Sequence, residues 1–150
     1  VRIYVGTKFE NTKAVHEAYL ALRDDGHTIT HDWTVENAEG LRGLALEAYL
    51  QGCAEKDVEG VTSAEAFLLL NHVGMAGGFT ELGIAIAAGK FIVVIDGKHP
   101  EKPRNIFYHL HYVHHAADLE DARKMLLAHE LFLKQEADAA EAVDHATDEK

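Results

Sequence analysis

The chain has 150 residues, 47% of them hydrophobic, a formal charge of −11 and a single cysteine. That length predicts one domain with a full core, and the acidic balance argues against general binding to nucleic-acid backbones, which calls for basic surface. No apolar run approaches the ~18 residues of a membrane span, no basic-then-apolar signal segment opens the chain, and Cys53 cannot form an internal disulfide, so a cytoplasmic protein with Cys53 as a buried apolar residue is expected.

Arg2-Ile3-Tyr4-Val5-Gly6 predicts a short strand ending at glycine. From Thr12 to Arg23, Val15, Ala18, Tyr19 and Leu22 recur at helical spacing, closed by Asp24-Asp25-Gly26. His27 to His31 alternates and predicts strand two, ending at Asp32-Trp33-Thr34. Glu39 to Lys56 reads as a helix that can continue into Asp57–Val61. Strand three is Ala66 to Leu70, and strand four is Phe91 to Ile95, apolar throughout as a strand covered on both faces requires. Between them, Asn71 to Gly78 reads as a glycine-rich loop, and Thr80 to Ala88 as a helix. The loop Asp96 to Arg104 leads to a short helix near Asn105, a strand at Tyr112-Val113 and a helix from Leu119 to Lys134.

Strands alternating with helices predict an α/β three-layer sandwich, with a parallel sheet of about five strands and helices on both faces. The domain is assigned to residues 1–134, followed by an acidic, Ala-rich tail over 135–150 that reads as a solvated helix or a frayed end. Ligands of such folds sit beyond the carboxyl ends of the strands. Tyr4 to Lys8, Asp32-Trp33, Asn71 to Glu81 and Asp96 to Asn105 should therefore gather on one edge.

Glu81 is the most informative residue on that edge. Placed in the first turn of its helix beside glycines that admit a ligand, it is expected to stay ionised, as a nucleophile requires. An acid in a first turn is also a common cap. Tyr4 can donate to a carboxylate and fix its orientation, or simply pack. Asp57 can bond a polar ligand, or cap a helix. Gly6, Thr7 and Lys8 after strand one, with Gly77, Gly78 and Thr80 at the helix start, can cradle a phosphate or merely shape a tight turn. Trp33 either stacks on a base or belongs to the core. The eleven histidines, crowded at His109, His111, His114 and His115, lack the convergence and spacing of a zinc site, and no metal is assigned.

Taken together, four segments resemble the nucleoside 2-deoxyribosyltransferase family, which includes the 2′-deoxynucleoside 5′-monophosphate N-glycosidases. They are Tyr4 in Ile3-Tyr4-Val5-Gly6, Asp57 in Lys56-Asp57-Val58-Glu59-Gly60-Val61, Glu81 in Thr80-Glu81-Leu82-Gly83-Ile84-Ala85, and Asn105 in Lys102-Pro103-Arg104-Asn105. The resemblance runs from Arg2 to about Asn105, and the segment from Glu81 to Lys90 is its most specific part. It implies a flavodoxin-like sheet, no cofactor, and a double displacement at the anomeric carbon through a covalent deoxyribosyl ester on Glu81. Tyr4 would orient Glu81, Asp57 would bind or protonate the base, and Asn105 would reach the sugar from a neighbouring subunit of a homo-oligomer. The implied partners are a deoxynucleoside or deoxynucleotide and a free base, with no nucleic-acid polymer and no membrane. The transferases usually carry a second aspartate shortly before the nucleophile, and the monophosphate glycosidases a serine. This chain has Met75 in that neighbourhood. Transfer to a second base, hydrolysis of a monophosphate, and non-catalytic nucleotide sensing thus stand as the three functional expectations.

Overall fold

The computed structural model describes residues 1–97 and 103–148, with side chains to 142. Lys102 of the Lys102–Asn105 segment, part of the loop before it and the last two residues of the acidic tail lie outside the described residues.

Five parallel strands form one sheet: β1 (Arg2–Gly6), β2 (Thr28–Ile29), β3 (Ala66–Leu70), β4 (Phe91–Ile95) and β5 (Val113–Ala116), in the spatial order β2-β1-β3-β4-β5. Four helices connect or follow them: α1 (Thr12–Asp24), α2 (Gly43–Ser63), α3 (Gly77–Ala87) and α4 (Leu119–Asp148). Helices α2 and α3 pack together against β1. Helix α4 lies on β4 and β5 and is tied to the end of α1 by Arg123, whose guanidinium donates two bonds to Asp25 at 2.6 and 2.7 Å. This is the three-layer arrangement expected from the alternation of strands and helices.

The runs Ala66–Leu70 and Phe91–Ile95 are central strands because nothing polar interrupts them, and every residue of β3 is buried. Each fully buried Leu or Phe in them contributes about 1.5–3 kcal/mol. Strand order reverses between β1 and β3, so the loops leaving these two strands diverge and open a crevice at the carboxyl edge.

Several boundaries differ from the sequence expectation. Strand β2 is only two residues long; Thr30 just beyond it still donates its N–H to Ile3 O at 3.0 Å, while its hydroxyl donates to Gly60 O at 2.8 Å. Helix α2 starts at Gly43, after a turn in which Gly40 takes a φ of +80°, and it runs on through Asp57 to Ser63. Cys53 on that helix is half-buried, not part of the core. Helix α4 continues through residue 134 to Asp148, so the acidic stretch carries on the same helix. Of the crowded histidines, His115 bonds Asp96 at 2.8 Å and His109 the carbonyl of Pro103 at 2.8 Å. Among the described residues no helix is long and apolar enough to cross a membrane.

Candidate active site

Helix α3 begins at Gly77, three residues earlier than the sequence predicts, which moves Glu81 from the first turn into the second. The helix start therefore does not solvate its carboxylate. Burial pushes the Glu81 carboxyl up to about 8, the nearby charge of Asp57 adds to the rise, and a hydrogen bond from Tyr4 opposes it. Oε2 of Glu81 is buried with no hydrogen-bond partner among the described residues. These surroundings run against the expectation that Glu81 stays ionised and favour its protonated form.

Tyr4, on β1, is fully buried, its ring nearly parallel to that of Phe67. Its hydroxyl lies 2.6 Å from Asp57 Oδ1 and 3.0 Å from Glu81 Oε1, joining residues 53 and 77 positions away in the chain. Burial, and then the charge of Glu81, hold this phenol far above the ordinary tyrosine range, so it remains a donor. Asp57 is also raised, by burial first and by Glu36, against the bond from Tyr4 and the charge of His31. His31 Nε2 stands 3.2 Å from Glu36 Oε1 and 3.7 Å from Asp57 Oδ1.

Two glycines make this convergence possible. A Cβ on Gly6 would run into Glu81 Oε2 and come within 3.0 Å of the Phe67 ring. A Cβ on Gly60 would stand 2.8 Å from His31 Cβ and 2.9 Å from the Tyr4 ring. The bare backbone of Gly60 lets α2 approach β1 closely enough for Asp57, one turn earlier, to reach Tyr4. Gly60→Ala is expected to force these groups apart and destabilise the fold by about 1–3 kcal/mol, measured as a lowered urea midpoint.

Above the three linked groups lies a cavity of about 330 Å³, within the range of small-molecule sites. The loop after β1 supplies Thr7, Lys8, Phe9 and Glu10, and the segment after β2 supplies Trp33 and Glu36. Asp57 comes from α2, and Gly74, Ala76, Gly77 and Glu81 from the β3–α3 connection. The cavity occupies the crevice where strand order reverses.

Of the residues singled out in the sequence, Thr7, Lys8, Trp33, Asp57, Gly77 and Glu81 line this cavity, while Tyr4 and Gly6 sit beneath it. The Thr7 hydroxyl donates to Leu70 O at 2.6 Å and fastens the two loops together. Trp33 is both core and wall: it is buried and donates from Nε1 to Val5 O at 2.8 Å. Gly78 packs against Met75, Thr80 is exposed away from the cavity, and Asn105 caps its own turn by accepting from Phe107 N–H at 3.0 Å. None of these three faces the cavity. Phe9, Glu36 and His31 were not assigned to the site in the sequence. Phe9 is 61% exposed, with its ring centroid 6.0 Å from that of Trp33. Their positions just beyond β1 and β2 are the one signal that pointed to them.

The fold and cavity define a flavodoxin-like α/β domain with two carboxyl groups bridged by a tyrosine at the carboxyl edge of its sheet. No family model and no curated protein matches the chain. Solved structures do match. The chain superposes on the CMP N-glycosidase BcmB of Clostridium botulinum with a TM-score of 0.59, covering 84% of this chain and 98% of that one at 17% identity. It superposes on the 2-deoxyribosyltransferase of Bacillus psychrosaccharolyticus with a TM-score of 0.62, covering 81% and 90% at 21% identity. At these identities the likeness establishes a shared fold over about four fifths of this chain and nine tenths or more of each of those.

Proposed function

We propose that this protein is a nucleoside 2-deoxyribosyltransferase-like enzyme that cleaves the N-glycosidic bond of 2′-deoxynucleosides and passes the sugar to another nucleobase. The observation that carries this reading is the Tyr4 hydroxyl set between Asp57 and Glu81 beneath a cavity of nucleoside size. Cleavage at an anomeric carbon passes through an oxocarbenium-like transition state, and a carboxylate beside that carbon both stabilises the charge and captures it. Glu81 takes that role as nucleophile, Tyr4 holds it, and Asp57 serves the departing base. Phe9 and Trp33 supply an aromatic flank for the base, and Glu36 an acceptor for its exocyclic groups. The fold shared with a deoxyribosyltransferase and a CMP N-glycosidase supports the same chemistry.

A second reading, hydrolysis of a nucleoside 5′-monophosphate, is favoured by Lys8, the only cation among the described lining residues, close to Gly74 and the start of α3. Incubation with deoxynucleosides and with deoxynucleoside monophosphates, each with and without a second free base, separates the readings. A new nucleoside that appears only with added base supports transfer, and base release alone supports hydrolysis. Binding without turnover across the panel would leave a sensor domain. If the substrate is a monophosphate, Lys8→Met should raise its KM by roughly tenfold or more and leave nucleoside KM unchanged, as expected for one charge-assisted bond.

The assembly is proposed to be a homo-oligomer with shared pockets. Helix α2 exposes Leu44, Leu50 and Val58 at 83%, 52% and 45%, and Asn105 stands outside the cavity of its own chain. Mixing inactive Glu81→Gln and Asn105→Ala subunits should restore part of the activity. A fully active monomer in sedimentation would remove this claim.

A further inference from the structure

The Tyr4 hydroxyl has one hydrogen and two carboxyl neighbours, Asp57 Oδ1 at 2.6 Å and Glu81 Oε1 at 3.0 Å. With both carboxyls ionised, the phenol could satisfy only one, and its oxygen would face a second anionic oxygen at bonding distance. All three groups are satisfied when one carboxyl carries a proton and donates it to the Tyr4 oxygen while Tyr4 donates to the other. The shorter contact gives the phenol hydrogen to Asp57. Glu81 has the buried, unpartnered Oε2 that an anion tolerates poorly, whereas Asp57 has His31 Nε2 at 3.7 Å and an open side on the cavity. The other charged and titratable groups facing the pair are Glu36 beside His31, Tyr19 from α1 with Asp32 beyond it, and Lys8 and Glu10 at the mouth.

Resting on the glycosidic reading above, we propose that Glu81 and Asp57 share a single proton, held on Glu81 in the resting site and passed to Asp57 through Tyr4 as the glycosidic bond breaks. Tyr4 gives its hydrogen to Asp57 and receives that of Glu81, and Asp57 delivers the proton to the departing base nitrogen, which keeps the electron pair of the broken bond. The freed carboxylate bonds to the anomeric carbon. One neutral acid and one N-glycoside become one ester and one neutral base, with no proton taken from solvent. The second step runs in reverse: Asp57 takes a proton from the incoming base or water, the ester opens, and the proton returns to Glu81 through Tyr4. Nucleophile and acid are thus made in the same event.

Infrared difference spectroscopy of the unliganded protein at neutral pH tests the resting state without any turnover. A buried carboxylic-acid carbonyl absorption should be present, lost in Glu81→Gln, retained in Asp57→Asn, and shifted in Tyr4→Phe, which removes its hydrogen-bond acceptor. An absorption lost in Asp57→Asn instead, or no such absorption, would overturn the proposal whatever the protein catalyses. The transfer itself is read from the rate of base release in mixtures of light and heavy water. The native protein should give a curved dependence on deuterium fraction, with more than one proton in flight. A straight dependence would overturn the relay. Tyr4→Phe should slow release by about 10²–10⁴-fold and abolish the curvature. If the Glu81 acid is present but no substrate is cleaved, the glycosidic reading has failed, and the transfer half of the proposal falls with it.

Discussion

Glu81→Gln is expected to lower the rate of glycosidic cleavage by about 10⁴-fold or more while leaving the fold intact. Glutamine has the shape of the glutamic acid it replaces, so it fits the space that the missing Cβ of Gly6 leaves beside Phe67. Its amide N–H₂ can donate to the Tyr4 oxygen as the glutamic acid does, so the orientation is kept. What is lost is the oxygen that bonds to the anomeric carbon, together with the proton it contributes to the departing base. A positioning residue would lose less, and in a way that strong substrate binding could partly hide. Here kcat should collapse while the KM or the dissociation constant for substrate changes little. The measurement is the rate of base release by native and variant protein, with circular dichroism to show that the variant is folded. Turnover within tenfold of the native value in a folded variant would remove Glu81 from the mechanism.

The same substitution should change stability in a pH-dependent way. Folded Glu81 titrates at about 8, against an ordinary value of 4.5. Between those two pH values the folded protein holds a proton that the unfolded chain has released, so native stability falls as pH rises through this window. Below it both states are protonated and the penalty vanishes. Above it both are ionised and the penalty is complete, with a ceiling of about 4–5 kcal/mol from the size of the shift. Glutamine does not titrate. It does bury a second amide N–H that has no partner, which costs roughly 1–3 kcal/mol at every pH. Glu81→Gln should therefore be no more stable than the native protein at about pH 5 and more stable at about pH 8. Urea melts at the two pH values read the crossing directly. A stability difference that does not change with pH would show that Glu81 is an ordinary solvated carboxylate.

The strands were legible because composition alone dictates them: Phe67 to Leu70 and Phe91 to Ile95 offer no polar residue to a solvent-facing side. The start of α3 was not. Gly77 and Gly78 look like loop residues because glycine weakens helices, yet at the first two helical positions little is lost, and Gly78 is needed where Met75 packs against it. That shift of three residues placed Glu81 beyond the first turn, where burial raises its carboxyl instead of the helix start lowering it. Tyr4, Asp57 and Glu81 were recognisable as a set only through the order of the segments that hold them, since nothing local announces a contact across 53 or 77 residues. Gly60 was quoted within the Asp57 segment, but its part in closing α2 on Tyr4 depends on three elements meeting and has no sequence signal. Phe9 and Glu36 sit in irregular segments without periodicity, where only topology can assign them.

In the proposed reaction Glu81 becomes covalently bonded to the sugar. Incubating the protein with a 2-fluoro-2-deoxynucleoside, whose fluorine slows both displacement steps and lets the ester accumulate, followed by mass spectrometry of its peptides, tests this most directly. One equivalent of released base and a fluorodeoxyribosyl adduct on the peptide carrying Glu81, absent in Glu81→Gln, are expected. Steady base release from deoxynucleosides or their monophosphates with the adduct on another residue, or unchanged in Glu81→Gln, would contradict it.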